Sequence, residues 1–178
     1  MARSSKYDGW DDAGMAVSDE QLAAFTLEEW CVDLVGLLTG QVRVLLRRAE
    51  IPNVSKPVWT NKAAKVLQDK TTWLVVASGL PAVDLDVLHT LPDPKAAEGK
   101  TLTGAAQALE PVDWLAELRA SVSGQLRLMV TMERRKSGAT KAERSRANKV
   151  ANASEGVLNG IEHLEGLLAS LPKDADGK

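Results

Sequence analysis

A chain of 178 residues, 44% hydrophobic and 26% charged, has enough apolar material for a domain with a packed core, and its net charge of −2 excludes a global basic field for gripping nucleic acid or membrane. A single cysteine, Cys31, excludes an intramolecular disulfide and a zinc site made of cysteines alone. No apolar run is long enough to span a bilayer and MARSSKYDGWDDAG lacks the apolar stretch of a signal peptide, so the expectation is a soluble cytoplasmic or intracellular protein with no membrane partner.

Residues 1–17 are polar and aperiodic and read as a flexible N-terminal segment. Within it, Trp10 stands among aspartates in DGWDD, and an exposed Trp flanked by acids reads as a docking motif. Ser18-Asp19-Glu20-Gln21 is a capping box, in which the Ser hydroxyl accepts from the amide three residues on and Gln21 reaches back. It predicts a helix from about 19 to 50. The buried stripe would be Leu27, Cys31, Leu34, Leu38, Leu45 and Ala49, widened by Trp30, Val35, Val42 and Leu46. The opposite face would carry Glu29, Asp33, Gly36, Gly40, Arg43, Arg47 and Glu50, acids early and bases late as the helix dipole prefers. Each helical Gly costs about 1 kcal/mol relative to Ala. Gly36 and Gly40 on one face therefore read as a place where a second helix, of this chain or another subunit, approaches closely.

Pro57 suits the first turn of a second helix over about 58–78. Its apolar face would be Trp59, Ala63, Val66, Leu67, Trp73, Leu74 and Ala77, and Gly79 with Pro81 would end it. Asp84 caps an expected short helix through Leu91. Residues 92–104, PDPKAAEGKTLTG, form the clearest loop, a linker between a helical unit at 18–91 and another at 105–171. A helical turn is expected at 105–109.

Pro111 opens a long helix to about Lys136, with Leu115, Leu118, Val122, Leu126, Met129 and Met132 inward. Gly138 suits the left-handed position after a helix, and Thr140-Lys141-Ala142-Glu143 is a second capping box. The last helix should cover 141–170, before a polar tail at 172–178. The fold class is therefore all-α: about four main helices, ending in a long antiparallel hairpin whose arms measure roughly 35–45 Å at 1.5 Å per residue.

Seven of the sixteen residues 134–149 are Lys or Arg: Arg134, Arg135, Lys136, Lys141, Arg144, Arg146 and Lys149. Bases at the end of the first arm favour that helix C-terminus, whereas Lys141 and Arg144 oppose the positive N-terminus of the second. That opposition points to an anionic partner at the hairpin tip, against the plainer reading of a solvated turn. No aromatic residue lies in the cluster, so a nucleic acid would be held by its phosphates and not by base stacking.

Catalytic chemistry has little to stand on. The glycines lack the spacing of a phosphate loop or a dinucleotide fold, and His89 and His163 lie far apart. His163 beside Glu162 and Glu165 reads as a lone surface histidine, and Cys31 on an apolar stripe reads as a small buried hydrophobe. No enzyme activity, cofactor, metal or small-molecule substrate is expected. The first reading is a non-enzymatic helical interaction protein with a protein partner or homo-oligomer, a structural component of a larger, for example viral, assembly. The alternative is an accessory protein that grips nucleic-acid backbone through the basic tip.

Overall fold

The computed structural model describes residues 18–24, 26–79, 90–135, 138 and 140–171. Trp10, Lys136, the tail at 172–178 and, but for Thr90 and Leu91, the expected helix over 84–91 lie outside them. The described residues form six α-helices and no strand: α1 (Asp19–Ala24), α2 (Leu27–Glu50), α3 (Pro57–Ser78), α4 (Ala97–Ala108), α5 (Pro111–Arg135) and α6 (Lys141–Ser170).

Two elements correct the expected count of about four. The helix foreseen over 19–50 is divided. The capping box at Ser18 forms, with Gln21 N–H donating to Ser18 Oγ at 3.1 Å and Ser18 N–H to Gln21 Oε1 at 3.0 Å. Thr26 then leaves the helical region (φ −127°, ψ 133°), and its hydroxyl accepts from Glu29 N–H. Thr26-Leu27-Glu28-Glu29 is itself a start signal, and the second start overrides continuation. The second correction is α4. Residues 97–104, expected in a loop, belong to it. Alanines at 97, 105, 106 and 108 favour helix. A turn at Asp93 delivers the chain, its carbonyl accepting from Ala96 N–H and its carboxylate from Lys95 N–H. Gly99 is required there, because a Cβ would lie 1.7 Å from Asp93 O.

One cluster of buried side chains runs from Trp30 to Leu164 and draws on α2, α3, α5 and α6. Three indoles set the directions of these four helices. Trp30 Nε1 donates to Gln125 O at 2.9 Å and Trp114 Nε1 to Gln41 Oε1 at 2.7 Å, so α2 and α5 run oppositely. Trp59 Nε1 donates to Leu164 O at 3.1 Å, joining the start of α3 to the last third of α6. Arg119 near the start of α5 meets Glu165 near the end of α6 in a two-pronged contact of 2.9 and 2.6 Å. Trp59 and Trp114 touch edge to face at 6.2 Å between centroids, an arrangement aromatic rings favour. Each large ring thus buries its area and satisfies its single donor.

Arg47, expected on the polar face of the first helix, is buried instead, and so is its neighbour Arg48. Arg48 is 2% exposed and donates to Thr60 Oγ1, Ala106 O, Leu109 O, Ser55 O and Ser55 Oγ. It ties the end of α2 to the turn before α3 and to the α4–α5 junction. Arg47 is also buried, donating to Pro92 O and Glu50. Ala49, expected in the stripe, is exposed. The α4 crossover covers the end of α2, and only a long multivalent donor reaches the carbonyls that this covering buries.

Candidate interaction surface at the hairpin tip

The C-terminus of α3 and the N-terminus of α6 meet at one end of the bundle, and α5 ends beside them. Thr140 caps α6 with both bonds of a capping box, and Gly138 takes φ +82°. From this end project Arg134, Arg135, Lys141, Arg144 and Lys149, all exposed. Among the described residues, no carboxylate pairs with Arg135, Lys141, Arg144 or Lys149. Arg146 turns the other way. Its Nε and Nη2 both donate to Ser78 O, at 2.9 and 2.7 Å, so it closes the last turn of α3. The structure therefore removes Arg146 from the projecting cations and gives it a structural use.

A groove of about 760 Å³ lies between the last turns of α3 and the first turns of α6. Its floor is Trp73, 48% exposed, and Val76, 70% exposed. Lys149 and Arg146 stand on the α6 side with Ser145, and no described carboxylate lines it. Trp73 was expected to be buried, and the correction has a register behind it. The buried stripe of α3 is Trp59, Thr60, Ala63, Ala64, Leu67, Thr71, Leu74, Val75 and Ser78. Three polar members hide in that stripe by bonding back one turn: Thr60 to Lys56 O, Thr71 to Leu67 O and Ser78 to Val75 O. Trp73 falls at its edge. Its ring lies against Gly156 of α6, where a Cβ would be 2.4 Å from the indole. Lys70 Nζ sits 5.4 Å from the ring centroid, a cation over a π face.

Gly156-Val157-Leu158-Asn159-Gly160 is thus the small-residue pair that brings two helices together. A Cβ on Gly160 would meet Val66 Cγ1 at 3.2 Å and Lys70 Cγ at 3.3 Å. Gly36 and Gly40 admit no helix in this chain, since nothing described lies within 4 Å of a Cβ on either. The sequence reading missed Gly156 and Gly160, although they have the same spacing as the pair it chose. Their signal is position, since they continue the line of small residues Ala153, Gly156 and Gly160 on α6.

Cys31 is fully buried, and burial pushes its thiol up to about 11, partly opposed by Arg146. Such a thiol is a packing group and a poor nucleophile. Among the described residues no cluster of three or more His, Cys, Asp or Glu is placed to hold a metal ion, and His163 is exposed. Among the described residues no helix is long and apolar enough to cross a membrane. No family model, curated protein or solved structure matches this chain.

Proposed function

We propose that this chain is a non-enzymatic helical interaction protein that binds a protein partner through the α3–α6 groove and the cations beside it. One observation carries the reading. A half-exposed Trp and a mostly exposed Val form the floor of an open groove whose described charged lining is cationic. Burying such side chains recovers about 1.5–3 kcal/mol each, and Trp and Arg are the residue types that dominate binding energies at protein interfaces. Gly36, exposed, and Gly40, half-buried, on α2 offer a second face for the approach of a further subunit, as in a homo-oligomeric or larger assembly.

The second reading, a grip on nucleic-acid phosphates, is favoured by the unpaired state of Arg135, Lys141, Arg144 and Lys149. Arg134 and Lys136 belong to the same cluster, and Arg146 contributes only its charge.

Quantitative comparison of bait chains separates the two. The double variant Trp73→Ser with Lys149→Glu should lose at least tenfold in recovered protein partner, while Val58→Ser, at an exposed site near the start of α3, keeps it. Random duplex DNA and RNA at two salt concentrations form the other arm. Binding that falls steeply with salt and vanishes on reversing Arg134, Arg135 and Arg144 would transfer the function to the phosphate grip. Protein recovery unchanged in the double variant would sink the groove.

A further inference from the structure

The groove opens at the end of the bundle where α2 begins. Arg48 of α2 meets Thr60 of α3 at the far end. Eighteen residues back along α2 is Trp30, and eighteen residues on along α3 is Ser78, so these two stand level. The Cys31 thiol, one residue further on, feels the charge of Arg146 from α6. α2 therefore begins at the same end of the bundle as the groove.

That preceding chain contains the chemistry the groove lacks. Residues 8–12, Asp-Gly-Trp-Asp-Asp, carry three carboxylates and one indole. The groove has an apolar floor of Trp73 and Val76, with Lys149 and Arg146 on its wall and Lys141 and Arg144 on the first turns of the same helix. The charges are opposite, and each side has an aromatic ring to bury. From Ser18 back to Trp10, eight residues span up to about 27 Å when extended. Packed helices are spaced about 8–10 Å apart, a distance that eight extended residues exceed.

We propose that residues 8–12 of this chain occupy the α3–α6 groove, with Trp10 on Trp73 and Val76 and the aspartates toward Lys149 and the tip cations. This rests on the reading of the groove as a docking surface and names its occupant. An external partner would then be an acidic segment with an aromatic or large apolar side chain, and it would compete with the chain's own N-terminal segment.

The test uses the full chain labelled with 5-fluorotryptophan, whose five Trp residues give five fluorine resonances, assigned by single Trp→Phe substitutions. Circular dichroism and melting curves of each variant keep the comparison among folded chains. Trp10→Ala should shift the Trp73 resonance and leave Trp59 and Trp114 in place. Lys149→Glu, or salt raised well above about 0.15 M, should move the Trp10 resonance to its position in a peptide of residues 1–17.

The proposal is overturned by a Trp10 resonance at the free-peptide position in the wild-type chain. It is equally overturned by a Trp73 resonance indifferent to Trp10→Ala, which would leave the groove open or give it to another segment such as 80–89. Shifts that grow with protein concentration would make a second copy the occupant and also overturn it. A free Trp10 together with loss of partner binding on Trp73→Ser would remove this occupant and leave the docking surface standing.

Discussion

Gly36 and Gly156 are chemically the same and structurally opposite. A methyl at Gly36 or Gly40 meets open space, so replacing either by Ala should raise stability by about 0.5–1 kcal/mol through helix propensity alone. A methyl at Gly156 collides with the Trp73 indole. Gly156→Ala should displace that ring into solvent and shift its fluorescence to longer wavelength, with little or none of the propensity gain. Urea midpoints and emission spectra of the three single variants decide it; a stabilised Gly156→Ala chain with unchanged emission would refute the contact.

Cys31 gives a pH signature. The thiol is raised from 9.0 to about 11 by burial, so the folded state holds its proton after the unfolded chain has released it. The stability this confers is whole below about pH 9 and disappears as pH rises through about 11. The difference in unfolding free energy between wild type and Cys31→Ala should therefore shrink over that interval. Iodoacetamide at pH 8 should leave the native thiol unmodified and label it in urea.

Among the elements, α3 and α6 are joined by a cation doing a backbone's work. Arg146 satisfies Ser78 O with two nitrogens, and hydrogen bonds to charged groups contribute about 1.5–3 kcal/mol. Arg146→Ala should cost stability on that order. Lys141→Ala and Arg144→Ala should stay within about 0.5 kcal/mol, or stabilise slightly, because both oppose the N-terminus of α6. Equal losses at all three positions, measured by chemical denaturation, would contradict this division of the basic cluster.

The elements also differ in how far the sequence reveals them. α5 and α6 are legible because Pro111, Gly138 and the Thr140–Glu143 box mark their ends locally. The break at Thr26 was hidden by the stronger start eight residues earlier. α4 was hidden by Gly99 and by Lys100, Thr101 and Thr103, which read as loop, while its real requirement is a close approach to Asp93. The face of α3 was misjudged because Thr71 and Ser78 look polar in a list of residues and apolar once their hydroxyls bond back along the helix. The inward turn of Arg47, Arg48 and Arg146 depends on carbonyls supplied by distant parts of the chain. No local pattern announces them. The cluster of tip cations was legible; the groove beside it was not, since it joins α3 to α6 across roughly seventy positions.

On the scale of the whole molecule, the four long helices enclose one apolar cluster, and charge is distributed unevenly around it. Residues 133–149 hold seven cations against two acids in a chain of net charge −2. A dipolar bundle of this kind orients an anionic partner before contact and lets apolar burial retain it afterwards. The most direct check is site-specific photo-crosslinking, in cells that make the protein, with benzoylphenylalanine at Val76 in the groove and at Val58, 65% exposed near the start of α3. The account predicts a discrete adduct with protein at position 76, removed by Lys149→Glu, and none at position 58. Adducts with nucleic acid alone, or the same adducts at both positions, would contradict it.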